Sequence, residues 1–338
     1  MLWPSIGEYP CYDPFLYQTL TSDAARNQRF RVALQKLARG KVVLDIGTGQ
    51  DLIWAREAVA AGAGHVLALE VMEESFLRGS ENLRSLRLQD DITLLQGGST
   101  SLHLDPKADV CVAEIIGSVA GAEGAAVVLA DARRRHLAPG GIVVPHRCVT
   151  RAAAVCLRDV LGGNPVSFSQ EAIKYLQVIF DWNEAPFDVR MRIKNAAPAA
   201  VLSNSEPVEI LNFNGDLLEE QERRVSLTMN RPGKVDGILT WLELSCLPDE
   251  PPLDTLHMDT SWGSVYFPLF DSEIPVEGGD VLGLTFRTSL GEDRLHPNYR
   301  LEATLRTDRT GEHSADLAAP HRGRTFRDRP VYRVLFPE

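Results

Sequence analysis

Two acids nine positions apart, Glu114 and Glu123, are the residues whose types and spacing most suggest chemistry. They lie in residues 113–123, A-E-I-I-G-S-V-A-G-A-E, directly after the apolar run Val110-Cys111-Val112. A strand ending in one acid, a loop of small residues and a second acid at a helix start bring two carboxylates toward one point. Neighbouring carboxylates repel and raise each other's pKa unless a cation lies between them. A planar guanidinium, with five N–H donors in a fixed fork, has the shape that suits such a clamp. Two unrelated solvated acids flanking an ordinary loop is the competing reading, and spacing alone leaves both open.

A second constellation is K-V-V-L-D-I-G-T-G-Q at residues 41–50. A buried strand over residues 42–46 runs into a tight turn at Gly47 and Gly49, and a helix follows over about 52–61. Glycines let the backbone approach a ligand closely, and the next helix presents its electropositive end. The following strand, residues 65–69, leads into an acid, Glu70, placed to accept both hydroxyls of a ribose. The dinucleotide fingerprint G-x-G-x-x-G fails, because Leu52 holds its third glycine position. The S-adenosylmethionine pattern D-x-G-x-G-x-G, opening here at Asp45, fits better, although Asp51 replaces its last glycine. An adenosine-type cofactor is expected.

The elements that must carry these residues alternate. Helices are expected over 76–86 and 125–137, and strands over 92–95, 110–113 and 142–144. A βαβα order implies a parallel, doubly wound sheet that binds its ligand across the carboxyl ends of the strands. Gly47, Gly49, Glu70, Thr100 and Glu114 all fall at those ends. A helix capped by Thr21, Ser22 or Asp23 precedes the first strand, with Phe30, Leu34 and Leu37 as its apolar stripe. After Pro145 the pattern shortens to β-like runs at 149–155, 208–213, 224–229, 237–244, 265–270, 281–286, 301–306 and 330–336. Their period-two alternation reads as an antiparallel barrel or sandwich. Residues 160–205 fit that pattern less well and hold one expected helix, 170–177. The expected divisions are 1–38, 39–145 and 146–338.

Composition narrows the function classes. The chain of 338 residues is 44% hydrophobic and 24% charged, as in soluble globular proteins with room for two domains. A net charge of −11 counts against a general nucleic-acid binder. No apolar run reaches the roughly 18 residues of a membrane span. The five cysteines are scattered without metal-type spacing, so no metal site and a cytoplasmic setting are expected.

Taken together these residues resemble the protein arginine methyltransferase family over nearly the whole chain. The resemblance implies a helical segment over the cofactor at 1–38, a class I S-adenosylmethionine-binding domain at 39–145, and a β-barrel domain at 146–338. It also implies a homodimer with an arm at about 160–205. In that family the two glutamates of the acid loop hold the substrate guanidinium, and their spacing matches Glu114 and Glu123. The family's D-x-x-R matches Asp23 and Arg26, so Arg26 is expected at the cofactor carboxylate. Glu70 corresponds to the ribose acid, and Ser99 and Thr100 to the adenine side. Asp45, Gly47, Gly49 and Glu114 complete the implied cofactor-binding set. The family's T-H-W loop corresponds to Thr260-Ser261-Trp262. Ser261 stands where the family has a histidine that pairs with the acid at Asp23's position, and a serine cannot carry that charge. The Ser99-Thr100 pair, the acid spacing and the exit Pro145-His146-Arg147 fit the monomethylating branch best.

The implied reaction is in-line transfer of a methyl from a sulfonium to a guanidino nitrogen. Glu114 and Glu123 draw the positive charge toward themselves, so that one nitrogen regains lone-pair character. Tyr17 and Trp262 complete the expected substrate-binding set, with core packing the alternative for each. The substrate is a free guanidino compound, L-arginine first, or peptidyl arginine. No recognition module for proteins is visible, which favours the small molecule. A non-catalytic cofactor-binding protein is the alternative from another class, suggested by Asp51 and Ser261.

Overall fold

The computed structural model describes residues 2–5, 19, 21–324, 327 and 329–336. Helix α1 (Ala24–Leu37) begins where the Asp23 side chain accepts the Arg26 amide at 2.9 Å. It buries Phe30, Ala33 and Leu34. Phe30 stacks on Trp54 of α2 (Ile53–Ala60), their ring centres 4.8 Å apart.

Five strands follow in one parallel sheet: β2 (Val42–Ile46), β3 (His65–Glu70), β4 (Ile92–Gln96), β5 (Ala108–Ala113) and β6 (Leu137–Val144). Helices α3 (Glu73–Leu86) and α4 (Ala125–Arg135) lie between them in sequence. The central strands are nearly all apolar because sheets of this kind are covered on both faces. The order β4-β3-β2-β5-β6 shows that the chain builds outward on one side of β2 and then crosses to the other. The order therefore reverses between β2 and β5, where doubly wound sheets bind ligands. Gly47 leaves β2 and Glu114 leaves β5 at that crevice.

Beyond Pro145 the strands pair antiparallel. One seven-stranded sheet joins β7 (Arg147–Val155), β8 (Arg190–Ile193), β9 (Glu206–Asn212), β12 (Gly237–Ser245), β13 (Leu253–Asp254) and β14 (Ser264–Pro268) with β1 (Leu2–Ser5). A second holds β10 (Gln221–Thr228), β16 (Val281–Leu290), β17 (Pro297–Thr307) and β18 (Gly311–Ala319), and a third pairs β11 (Gly233–Val235) with β15 (Ile274–Val276). Strand β17 buries alternate residues, Tyr299, Leu301, Ala303 and Leu305, as period two requires. Helices α5 (Leu157–Val160) and α6 (Gln170–Trp182) fill the stretch between β7 and β8. Leu211, Leu242, Leu244, Leu253 and Trp262 share one apolar cluster with Val43, Leu44 and Val112. The parallel and antiparallel parts thus meet through a common core.

Residues 330–336 depart from the strand expectation. Pro330 to Leu335 form helix α7, with Pro330 in its first turn. Proline there has its φ already set for a helix and lacks an N–H that would go unused. Val331 and Leu335, one helical turn apart, pack on the core beside buried Tyr332.

Candidate active site

The glycine turn is held from below by two acids. Gly47 and Gly49 adopt φ of +74° and +66°, conformations open to glycine at little cost. A Cβ on Gly47 would lie 3.3 Å from Ile115 Cγ2, so its bareness lets the turn pass against the acid-bearing loop. Asp45 is fully buried and accepts the Thr48 hydroxyl at 2.6 Å and the Ala55 amide at 2.9 Å. Burial lifts its carboxyl to about 7 despite those bonds. In this structure Asp45 fastens the turn to α2 from within the core. Glu70 accepts the Gly49 and Met72 amides, each at 2.8 Å, which fixes the acid at the end of β3.

Asp51 is not a defect of the turn. The left-handed residue that starts α2 is Leu52, at φ 52°, while Asp51 keeps a negative φ that any residue adopts.

Glu114 follows β5 directly, and its carboxylate lies 2.7 Å from the Arg26 guanidinium. Burial, helped by the Asp23 charge, raises its carboxyl to about 7 even though Arg26 opposes the shift. The loop then doubles back. A Cβ on Gly117 would fall 2.8 Å from Ala122 Cβ and 3.4 Å from Glu123 Cγ. Glycine at 117 thereby allows the loop to close on itself, with half-buried Glu123 lying against its first half.

The Thr260-Ser261-Trp262 loop meets both elements. The Ser261 amide donates to Asp23 at 2.6 Å, and the Trp262 indole N–H donates to the Ile116 carbonyl at 2.7 Å. Trp262 is buried and its ring lies 5.9 Å from the Arg26 guanidinium carbon. Its observed place is packing that holds the acid loop. The link from position 261 to Asp23 persists through the main chain, so it needs no histidine. The Ser261 hydroxyl is buried without a hydrogen-bond partner among the described residues.

The Ser99 carbonyl accepts from Arg135 and, at 2.8 Å, shares a hydrogen bond with His136. Arg135 is itself paired with Asp131. This anchors the loop after β4, with Ser99 buried and Thr100 exposed. Tyr17 lies outside the described residues. Next to Trp262 a cleft of about 280 Å³ opens, walled by Lys194, Asn195, His257, Asp259 and Thr260.

Two residues escaped the sequence reading. Glu209 on β9 and Thr150 on β7 stand opposite each other in register and reach the acid loop. Both are buried polar residues in apolar strands, a signal visible in the sequence only once the strands are paired.

The residues fit a nucleoside cofactor bearing an amino-acid tail. A buried carboxylate suits ribose hydroxyls, a guanidinium suits a carboxylate, and bare glycines suit close approach. A doubly wound sheet with that turn at its switch point and the acid-bearing loop beside it is an architecture suited to a nucleoside-cofactor transferase. No protein-family model matches the chain. The arginine N(omega)-methyltransferase of Streptomyces achromogenes subsp. streptozoticus is 29% identical over 285 residues, spanning 80% of this chain and 75% of that protein. The solved protein arginine methyltransferase 10 of Arabidopsis thaliana superposes with a TM-score of 0.73 at 18% identity, over 91% of this chain and 98% of its own. A Trypanosoma brucei PRMT1 enzyme–prozyme heterotetrameric complex with AdoHcy superposes at 0.71 with 16% identity, over 90% and 98%. The chain is thus similar in sequence to a named arginine N-methyltransferase and shares its fold with solved protein arginine methyltransferases, one of them held with AdoHcy.

Proposed function

We propose that this chain methylates a terminal guanidino nitrogen of free L-arginine, or of a small guanidino metabolite, and stops at the monomethyl product. The observation that carries the reading is the loop from Glu114 to Glu123, folded back by Gly117 at the switch point of the sheet. S-adenosylmethionine, held by the glycine turn, Glu70, Arg26 and the Ser99-Thr100 segment, would supply an electrophilic sulfonium methyl.

A free guanidinium is a poor nucleophile, because its charge is spread over three nitrogens and its pKa exceeds about 12. Glu114 and Glu123 accept hydrogen bonds from separate nitrogens and draw the charge toward themselves. The remaining nitrogen keeps its lone pair and is held in line. Transfer would form the N–C bond as the sulfonium's S–CH3 bond breaks, releasing the neutral thioether, and Glu114, whose carboxyl burial raises to about 7, would take the proton that the nitrogen sheds. Alignment of this kind supplies part of the roughly 7–11 kcal/mol available to well-oriented reactants.

Support for a small substrate comes from the cleft beside Trp262. It carries Lys194 and Asp259, a cation and an anion that suit the zwitterionic head of an amino acid. The Streptomyces relative is named for arginine and not for a protein.

The antiparallel sheets enclose one apolar core, which supports reading them as the family's barrel. A homodimer is part of the proposal. Helix α6, in the expected arm, exposes Val178 and Trp182 one turn apart, an apolar surface that a partner would cover. The described cysteines, all free and buried, suit a cytoplasmic setting.

Mass spectrometry of the purified protein with S-adenosylmethionine, free L-arginine and an arginine-rich peptide in parallel tests the proposal. The expected product is L-arginine heavier by one methyl. Modification of the peptide alone overturns the substrate reading, and modification of neither overturns the activity.

A further inference from the structure

We propose that Thr150 and Glu209 are positioning residues that set the register of the loop carrying Glu114 and Glu123. This rests on the functional reading above and adds to it the part of the fold that holds the two acids in place.

Within the loop the Ala122 amide donates to the Val119 carbonyl and the Gly124 amide to the Gly121 carbonyl, each at 2.9 Å, while the Ala120 and Gly121 amides take their partners from the antiparallel sheet. The Ala120 amide donates to the Thr150 hydroxyl at 3.0 Å, and that hydroxyl donates to Glu209 Oε2 at 2.8 Å. The Gly121 amide donates to the same Oε2 at 3.2 Å. The Thr150 hydroxyl therefore both accepts and donates, and one carboxylate oxygen gathers two donors. Thr150 is fully buried and Glu209 is 2% exposed, so losing either bond leaves a buried polar group to be satisfied at a cost. The fit is close: a Cβ on Gly121 would lie 2.7 Å from Glu209 Oε1. Strand pairing supplies the aim, since Thr150 faces Glu209 across β7 and β9 and the register shifts at Thr150/Arg151. A bulge next to a site redirects the side chain beside it.

Two neighbouring contacts frame this anchor. Trp262 holds Ile116 on the side of Glu114. On the side of Glu123, Leu295 lies against Gly124, where an added Cβ would come within 2.9 Å of Leu295 Cδ1. Between them, Thr150 and Glu209 grip the two amides that precede Ala122 and Glu123. A buried acid in the antiparallel sheet thus fixes where the second catalytic acid begins, without a hydrogen bond to the glycine turn or Glu70.

The test compares Thr150→Val, Thr150→Ser, Glu209→Leu and Glu209→Gln with the wild type. Steady-state kinetics on L-arginine gives kcat and KM, and calorimetry gives cofactor affinity. Thr150→Val and Glu209→Leu are expected to lose roughly 10- to 100-fold in kcat/KM while binding cofactor as the wild type does. Thr150→Ser and Glu209→Gln, which keep an accepting oxygen in place, are expected to restore most of it. Wild-type kinetics in Thr150→Val overturns the proposal, as does a loss of cofactor affinity in step with turnover. If Glu209→Leu fails to fold, Thr150→Val decides; failure of that near-isosteric change to fold also overturns it, marking the pair as framework. A wild type that methylates no guanidine sinks the functional reading, whereas an active wild type with an unaffected Thr150→Val sinks only the anchor.

Discussion

The Arg26 guanidinium lies 2.7 Å from the Glu114 carboxylate and ties the first turn of α1 to the end of β5. Only 2% and 13% of their side-chain surfaces are exposed. The pair neutralises an acid that faces the crevice, and Arg26 stays beside the expected place of the cofactor tail. Removing Arg26 takes away the cation that favours the Glu114 carboxylate, so the buried acid moves toward its protonated form and the tie between α1 and β5 is lost. Arg26→Met should therefore lower the melting temperature and weaken S-adenosylmethionine binding together. Unchanged cofactor affinity by calorimetry would remove Arg26 from the cofactor site.

The raised carboxyl of Glu114 gives a signed pH dependence. In the free protein it ionises near 7 in place of 4.5, and the ionised form is the one that grips a guanidinium. The ratio kcat/KM should rise with pH through about 7. A bound arginine cation stabilises the carboxylate, so the limb in kcat should sit at lower pH than the limb in kcat/KM. Stability runs the other way. An acid whose folded pKa is raised contributes fully below its unfolded pKa, and that contribution fades as pH climbs through the folded value. Asp45, raised from 3.8 to about 7, acts in the same direction. Thermal melts from pH 5 to 8 should show these contributions fading while activity grows. Coincident limbs in kcat and kcat/KM would exclude Glu114 from substrate binding.

Trp262→Phe keeps an aromatic side chain, though a smaller one, and removes the indole N–H, leaving the buried Ile116 carbonyl without its donor. A buried acceptor left unpaired costs about 1–3 kcal/mol. Turnover should fall while cofactor affinity holds, because the bond secures the acid loop and not the glycine turn. Equal losses in both, read by kinetics and calorimetry, would contradict this.

Gly117→Ala places a methyl 2.8 Å from Ala122 Cβ, closer than such atoms tolerate, and pushes toward Glu123. A displacement of this size is expected to cost roughly 10- to 100-fold in kcat/KM for L-arginine. A variant as active as the wild type in the same assay would show that the loop does not need to close at Gly117.

Much of this arrangement was legible in the sequence because it is local. The glycine turn, the trailing Glu70 and the Glu114–Glu123 spacing each lie within one strand-and-loop unit, and the alternation of strands and helices places them on one edge. What was hidden is what long-range pairing supplies. Thr150 and Glu209 are 59 positions apart and meet only because β7 and β9 pair. Strand β1 is four residues long and gains its partner from β8, far along the chain. Strand β18 has few apolar residues and shows a strand pattern only beside β17. The helix over 330–335 was misread because six residues fit a period of two nearly as well as one of 3.6.

The most direct measurement is methyl transfer to L-arginine by Glu114→Gln and Glu123→Gln, with cofactor affinity determined on the same preparations. Both variants are expected to bind S-adenosylmethionine and to turn over at least roughly 10²-fold more slowly, since each amide keeps the shape and loses the charge that draws the guanidinium. Near-wild-type turnover in both would contradict the role assigned to the paired acids.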